Sequence, residues 1–202
     1  TSIIGYKAVE LFYQAGIPHD VLQFTPAAGK LFGAKLLSNP KIATVAFTGS
    51  NQTARLINSK LAHSNGQIAK LIAETGGQNC MIVDSTALPE QVVDDVISSG
   101  FQSAGQRCSA LRVLFLQEDI AEQVITMLQG ALAELHIGNP ENLNTDVGPV
   151  IDQNALNALN AHAEYMKLHG TLLYQCELSG DVPNGPSSEV FDKNNHFFFA
   201  PR

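Results

Sequence analysis

Short apolar segments that alternate with amphipathic segments constrain the fold of this chain more than any other feature. Residues 43–47 are almost wholly apolar, and a helical pattern of Ala54, Ile57 and Leu61 follows them. Apolar runs of this length fit strands that are buried on both faces, and helices between successive strands are typical of βαβ units. The sequence therefore predicts an α/β fold built on a parallel sheet.

The same alternation continues along the rest of the chain. Hydrophobic periodicity predicts helices over residues 2–15, 30–38, 54–61, 89–103, 119–135 and 152–169. It predicts strands over residues 21–25, 43–47, 68–73, 80–84, 111–116, 171–174 and from 197 onward. Residues 179–195, rich in Gly, Pro, Ser and Asn, are predicted to form a long loop. The break at Gly76-Gly77 predicts two α/β lobes, residues 1–76 and 77–202.

Composition narrows the class of protein. With 45% apolar and 15% charged residues, the chain can form a packed core. A net charge of -7 with scattered basic residues disfavours binding to nucleic acid. No apolar stretch reaches the ~18 residues of a membrane helix. Three cysteines without a CxxC pair predict a reduced, cytoplasmic protein, and six histidines without ligand spacing predict no metal site.

The turn after the strand at residues 43–47 is a possible phosphate site. Gly49 and Ser50 lie where a buried strand ends and a helix begins. Free backbone N–H groups and a hydroxyl at the positive end of a helix suit a phosphate. The simpler interpretation is an ordinary helix N-cap, and the usual G-x-G-x-x-G pattern is absent.

Two further residues are candidates for catalysis. Glu74 follows a predicted strand, at the kind of edge where α/β proteins bind ligands, so it is a candidate general base; a solvated charge at the sheet edge is the alternative. Cys108 lies in a Gly-containing turn beside Arg107, whose charge would favour the nucleophilic thiolate. The alternative for Cys108 is a small buried core residue, which is also the interpretation of Cys80 and Cys176.

The order and spacing of these motifs carry a resemblance. Over essentially the whole chain the sequence resembles the aldehyde dehydrogenase superfamily, and more narrowly the aldehyde dehydrogenase module of the proline utilization A family. The motifs are Gly29-x-x-x-Gly33, Phe47-Thr-Gly-Ser50, Glu74-Thr-Gly-Gly-x-Asn79, Ser103-Ala-Gly-Gln-Arg-Cys-Ser-Ala-Leu-Arg112 and Gly138-Asn-Pro followed by Asp146-Val-Gly-Pro-Val-Ile151. The Thr after Glu74, where most of the superfamily has Leu, favours the narrower branch.

The resemblance implies a fold and roles for individual residues. Residues 1–76 would be part of a Rossmann-like NAD-binding domain and residues 77–202 part of the catalytic domain. Cys108 would be the nucleophile and Glu74 the base that activates water. The cofactor NAD would be contacted by Gly29, Gly49, Ser50 and Thr75, and the substrate by Ser109 and Arg107. The implied reaction oxidises L-glutamate γ-semialdehyde to L-glutamate.

The resemblance also implies partners. Within the parent protein, FAD would belong only to a possible upstream proline dehydrogenase domain, and the full-length protein would be a homo-oligomer. Several family groups of the active site have no counterpart in the chain, among them an oxyanion Asn and the Glu of an E-x-F-G-P segment. The chain is therefore expected to be an internal fragment without useful activity of its own.

Two other functions stay open at this point. The first is an acylating aldehyde dehydrogenase or another semialdehyde dehydrogenase, in which an acceptor other than water takes the acyl group; Glu74 disfavours it, because a hydrolytic enzyme needs that base. The second is a non-catalytic scaffold lobe, which the presence of Glu74, Cys108 and Ser109 disfavours.

Overall fold

The computed structural model describes residues 2–178 and 197–200. The chain divides into two compact units, residues 1–75 (unit 1) and residues 76–202 (unit 2). Each unit contains one pair of parallel strands. The α/β fold with parallel sheets that the sequence predicts is thereby confirmed.

Unit 1 contains one strand–helix–strand motif. Its elements are α1 (Ser2–Gln14), α2 (Gly29–Lys35), β1 (Thr44–Gly49), α3 (Asn51–Ala62) and β2 (Lys70–Thr75). Strands β1 and β2 pair in register from Thr44 opposite Lys70 to Gly49 opposite Thr75. Helix α3 buries Ala54, Ile57 and Leu61, the three positions that the sequence pattern selected. Ile57 and Leu61 form the core of this unit together with Leu37, and partly buried residues of both strands pack against them.

Unit 2 repeats the parallel pairing around a larger core. Its elements are β3 (Asn79–Val83), α4 (Pro89–Gly100), a 3-10 helix (Gln102–Gly105), β4 (Leu111–Leu116), α5 (Glu118–Ala133) and α6 (Gln153–His169). The main core is aliphatic and consists of Val83, Val92, Val93, Val96, Ile120 and Val124. Because β3 and β4 run parallel, the residues that precede them meet at one edge of the sheet.

A second cluster in unit 2 ties its C-terminal segments to the helices. Ile137, Val147 and Cys176 are buried together and pack against Phe101 and Phe198. Ile137 bridges to both Val147 and Leu178 as isolated parallel pairs. This cluster holds the irregular segment around residue 147 against the end of α4.

Two predicted strands are wrong, and both fail for the same reason. Residues 21–25 and 171–174 are irregular. The carbonyl of Leu22 accepts a hydrogen bond from Tyr13 Oη at 2.6 Å, and the carbonyl of Leu173 accepts one from Gln129 Nε2 at 2.9 Å. Each segment thus has one carbonyl bonded to a side chain, and within the described residues neither segment pairs with a strand.

Two other predictions also differ from the structure. The helix predicted to reach Ser103 ends at Gly100, because the backbone becomes left-handed at Ser103. Residues 197–200 are irregular rather than a strand, and the carbonyl of Phe197 accepts the N–H of Val150 at 2.8 Å. The predicted loop over residues 179–195 lies outside the described residues.

The described residues contain neither a candidate membrane span nor a candidate metal site. No helix in residues 2–178 is long and apolar enough to cross a membrane. In the same part of the chain, no three His, Cys, Asp or Glu side chains are arranged to hold a metal ion.

Candidate active site

Cys108 lies at the centre of a tight turn, residues 107–110, which we call the cysteine turn. The N–H of Ala110 donates to the carbonyl of Arg107 at 3.1 Å, so Cys108 and Ser109 are the two central residues, and both are exposed. In a turn of this type the central N–H groups make no bond within the turn. Within the described residues, no acceptor bonds the N–H of Cys108. An exposed thiol thus lies beside its own free amide.

The side chain of Asn79 holds the cysteine turn. Its Nδ2 donates to the carbonyl of Cys108 at 2.8 Å and to the carbonyl of Ala110 at 2.9 Å. Asn79 is the first residue of β3 and pairs with Leu111, the first residue of β4. The turn therefore sits at the amino-terminal edge of the sheet in unit 2, next to the start of both strands.

A strained segment precedes the cysteine turn. Ser103, Ala104 and Gly105 have φ values of 56°, 53° and 65°, and we call these residues the left-handed arch. Left-handed backbone costs a non-glycine residue about 1–2 kcal/mol. Gly105 is required for a second reason, because a Cβ there would lie 2.8 Å from the carbonyl oxygen of Gly100. Arg112 holds the arch by donating from Nη2 to the carbonyl of Gly105 at 2.6 Å.

Gln106 connects the left-handed arch to a distant segment of unit 2. Its Nε2 donates to the carbonyl of Ser103 at 3.1 Å and to that of Pro149 at 3.3 Å. Its Oε1 accepts the N–H of Ile151 at 2.8 Å. Both ends of the amide are thus engaged, and the chain just before Cys108 is attached to the segment around residue 150.

Arg107 bonds to the end of a helix. Its Nη2 donates to the carbonyl of Ser98 at 2.7 Å and to that of Ser99 at 3.4 Å, in the last turn of α4. Those carbonyls lack N–H donors inside the helix and lie at the negative end of its dipole, so a cation there is stabilising. The roles that the sequence predicts for Arg107, toward the thiolate and toward the substrate, stay predictions.

The other candidate residues gather at the carboxyl-terminal edge of the sheet in unit 1. Gly49 and Thr75 end the two strands and pair with each other. Glu74 is paired with Thr48, and its side chain is exposed. Ser50 follows Gly49 directly. Parallel pairing thus brings four predicted site residues to one edge, and it brings them there from two segments of the chain.

Ser50 is the N-cap of α3, as the simpler interpretation of the sequence held. Its Oγ accepts the N–H of Thr53 at 3.2 Å. The N–H groups of Asn51 and Gln52, in the first turn, have no acceptor within the helix. These two residues, with Arg55 and Leu56, line an open depression of about 420 Å³. An anion at this point would meet free N–H groups and a nearby guanidinium, whereas the Ser50 hydroxyl already donates to Thr53 Oγ1 at 2.9 Å.

Gly29 begins α2, and its surroundings do not explain why it is glycine. A Cβ at this position would have no atom within 4 Å. No contact within unit 1 explains the glycine at this position, and its role toward the cofactor stays a prediction.

The remaining cysteines differ from Cys108 in their surroundings. Cys176 is 2% exposed and packs in the second cluster of unit 2, and burial raises the pKa of its thiol. A thiol with a raised pKa is a poor nucleophile. Cys80 is exposed on β3, and all three cysteines are free thiols.

Sequence reasoning assigned no role to the three side chains that hold the nucleophile. Asn79, Gln106 and Arg112 all lie within the motifs that carry the resemblance, yet only their contacts reveal what they do. A usable signal exists for Asn79. A side-chain amide at the start of an apolar strand needs hydrogen-bond partners, although the sequence does not identify the carbonyls that supply them.

A protein-family profile and individual relatives both match this chain. The profile of the aldehyde dehydrogenase family matches residues 1–191. The chain is 48% identical over 178 residues to the bifunctional protein PutA of Klebsiella aerogenes, covering 87% of this chain and 14% of that protein. It is 35% identical over 176 residues to 1-pyrroline-5-carboxylate dehydrogenase of Anoxybacillus flavithermus, covering 86% of this chain and 34% of that protein.

A solved structure shares the fold. The 1-pyrroline-5-carboxylate dehydrogenase from Thermus, solved with bound NAD, superposes with a TM-score of 0.83 at 30% identity. The match covers 91% of this chain and 36% of that one. The chain thus spans about a third or less of each of these three proteins. Since the family profile covers nearly all of the chain, this protein belongs to the aldehyde dehydrogenase family.

Proposed function

We propose that the chain is the cysteine-bearing part of an NAD-dependent dehydrogenase that oxidises L-glutamate γ-semialdehyde to L-glutamate in proline catabolism. The observation that carries the proposal is the cysteine turn, where an exposed Cys108 thiol lies beside its own free N–H. The names of the relatives support the substrate. 1-Pyrroline-5-carboxylate is the cyclic imine of this semialdehyde, and water opens it to the aldehyde.

Cys108 supplies the nucleophile. Its thiolate attacks the aldehyde carbon, a C–S bond forms, and the carbonyl π electrons move to the oxygen to give a thiohemiacetal. The N–H of Cys108 donates to that oxygen as negative charge develops on it. Loss of hydride from the same carbon then restores the carbonyl and leaves a thioester on Sγ.

Glu74 acts in the second half of the reaction. Its carboxylate takes a proton from a water molecule, and the oxygen attacks the thioester carbon. The C–S bond breaks, the product leaves as L-glutamate, and Cys108 departs as the thiolate. The exposed position of Glu74 at the end of β2 leaves it accessible to water.

The cofactor fits the edge of the sheet in unit 1. Free N–H groups in the first turn of α3 and the depression beside Arg55 suit a pyrophosphate. Gly49 and Thr75 would lie against the cofactor, and Gly29 near its adenosine half. When bound, NAD⁺ supplies the hydride acceptor. On this assignment residues 1–76 belong to the NAD-binding domain and residues 77–202 to the catalytic domain.

Ser109 supplies specificity in this proposal. As the second central residue of the cysteine turn it is exposed beside Cys108, and its hydroxyl can donate to the carboxylate of the semialdehyde. A simple aliphatic aldehyde lacks that carboxylate. We therefore expect glutamate semialdehyde to be favoured over propanal in kcat/KM.

The decisive experiment separates the two halves of the reaction in the full-length protein. Cys108→Ala should lower kcat at least about 10³-fold, because no nucleophile remains. Glu74→Gln should release one equivalent of NADH in a burst and then turn over about 10²-fold or more slowly, because the thioester forms but is not hydrolysed. Stopped-flow NADH absorbance measures both, and Cys80→Ala is the matched control for Cys108→Ala.

Other outcomes would point elsewhere. Full activity in Cys108→Ala would contradict the assignment of the nucleophile. An acyl ester rather than L-glutamate as the product would indicate an acylating enzyme.

The 202-residue chain assayed alone tests the expectation that it has no useful activity, and turnover near that of the full-length protein would contradict it. A proline dehydrogenase assay on the same full-length protein tests whether the parent is bifunctional.

A further inference from the structure

Asn79 makes two hydrogen bonds to the cysteine turn, whereas the turn makes only one within itself. A side-chain amide nitrogen carries two hydrogen-bond donors, and both are used here on the carbonyls of Cys108 and Ala110, at 2.8 and 2.9 Å. The turn has one internal bond, from the N–H of Ala110 to the carbonyl of Arg107, at 3.1 Å. An exposed turn with a single internal bond opens easily unless other groups hold it.

The pairing of β3 with β4 is irregular where Asn79 lies. Asn79 pairs with Leu111, but Cys80 pairs with Val113, so Arg112 is the extra residue of a β-bulge. Bulges re-aim side chains and are frequent next to active sites. This one places Asn79 against the cysteine turn. It also places Arg112 where its guanidinium bonds the carbonyl of Gly105.

We propose, on the basis of the proposed function, that Asn79 is a positioning residue for the nucleophile: its amide holds the cysteine turn so that the N–H of Cys108 points at the substrate oxygen. Asn79 has no proposed contact with substrate or cofactor. Its effect passes through the backbone of residues 107–110. We therefore expect Asn79 to affect hydride transfer more strongly than it affects cofactor binding.

Replacing Asn79 by Asp tests the donors without changing the shape of the side chain. An ionised carboxylate presents only acceptors to the carbonyls of Cys108 and Ala110, whereas a protonated one donates a single hydrogen bond. The charged groups nearby are Cys108 itself, Arg107 on the turn and Arg112 on β4. All three groups are present in the wild type as well, so any pH dependence that they cause appears in both proteins. The ratio of variant to wild type therefore isolates the new carboxyl group.

The experiment uses the full-length protein with glutamate semialdehyde and NAD. Asn79→Ala, and Asn79→Asp at about pH 8, should lower kcat about 10²-fold, the effect of losing one oxyanion donor. KM for NAD should change by less than about 3-fold. For Asn79→Asp the ratio of its kcat to that of the wild type should rise toward about pH 5, while for Asn79→Ala it should stay constant.

The matched control is Asn157→Asp on α6. There the side-chain oxygen accepts a hydrogen bond from Gln153 at 2.8 Å, so a carboxylate keeps that bond. This variant should match the wild type at every pH. A pH-independent deficit in Asn79→Asp, or wild-type kcat in Asn79→Ala, would overturn the proposal.

Hydrogen–deuterium exchange gives a readout that needs no activity. The amide of Ala110 should exchange faster in Asn79→Ala than in the wild type, and unchanged exchange would overturn the positioning role. If the wild-type protein oxidises no aldehyde, the proposed function fails, and faster exchange would still support Asn79 as the residue that holds the turn. If Asn79→Ala does not fold, Asn79→Asp at low pH carries the same test.

Discussion

The two units present their candidate residues at opposite edges of similar parallel strand pairs. In unit 1, Gly49, Glu74 and Thr75 lie at the carboxyl-terminal ends of the strands. In unit 2, Cys108 precedes the amino-terminal end of β4, next to the start of β3. The edge used in unit 1 is the ordinary ligand edge of α/β sheets, and the edge used in unit 2 is not.

The difference lies in what holds each site together. In unit 1 the strand pairing and the start of α3 are sufficient, and these are local consequences of the hydrophobic pattern. In unit 2 the edge needs side chains from elsewhere, because no helix begins at Cys108. Asn79, Gln106 and Arg112 supply those bonds, over separations of 29, 43 and 7 residues for the bonds to Cys108, Pro149 and Gly105.

The largest effect on stability is expected at the left-handed arch of unit 2. Gly105→Ala should lower the free energy of unfolding by about 2 kcal/mol or more, because alanine is strained at a φ of 65° and its Cβ would crowd the carbonyl of Gly100. Urea denaturation followed by circular dichroism measures it.

Gly130→Ala on α5 is the control for that substitution. A Cβ at Gly130 has no atom within 4 Å, so alanine should stabilise the helix by about 0.5–1 kcal/mol. Equal effects at Gly105 and Gly130 would show that the arch is not specifically strained.

An intermediate effect on the free energy of unfolding is expected at the start of α3 in unit 1. Ser50→Ala should lower the free energy of unfolding by about 1 kcal/mol, and Ser50→Gly by only a few tenths, because glycine is tolerated at an N-cap. Thermal and urea unfolding measure both. A raised KM for NAD in Ser50→Gly of the full-length protein would then isolate binding from capping. No difference between the two variants in unfolding would contradict the capping role.

The smallest effect on stability is expected at the carboxyl-terminal edge of the sheet in unit 2. That edge carries a hydrogen-bonded turn and no candidate site residue. Thr86 donates to Asp84 from Oγ1 at 2.6 Å and from its N–H at 2.8 Å, and these two hydrogen bonds lower the pKa of the Asp84 carboxyl. Because the pKa is lower in the folded state, the contribution is present above about pH 4, the unfolded value, and is lost as pH falls through the folded pKa.

Thr86→Val tests this edge, since it removes the hydroxyl and keeps the backbone N–H. Urea midpoints between about pH 5 and pH 2 should fall less steeply in Thr86→Val than in the wild type. Parallel curves would show that Asp84 does not take part in the acid sensitivity of this unit.

Sequence reasoning succeeded where a local pattern decides the structure. The positions Ala54, Ile57 and Leu61 are buried as their helical spacing predicts, because the side chains on one face of a helix share one environment. Asp152 caps α6 at the predicted start of that helix. The wrong strands at residues 21–25 and 171–174 show the limit, since strand formation needs a partner that local hydrophobicity does not specify.

Local sequence patterns are sufficient to predict the α/β alternation, the parallel pairing and the motifs that identify the family. The way in which Cys108 is held depends instead on tertiary contacts. Left-handed backbone at Ser103 and Ala104 opposes the local preference of both residues, so no propensity predicts it. It persists beside a hydrogen bond from Arg112 and beside Gln106, whose amide also bonds Pro149 and Ile151, groups that it meets only once the chain has folded.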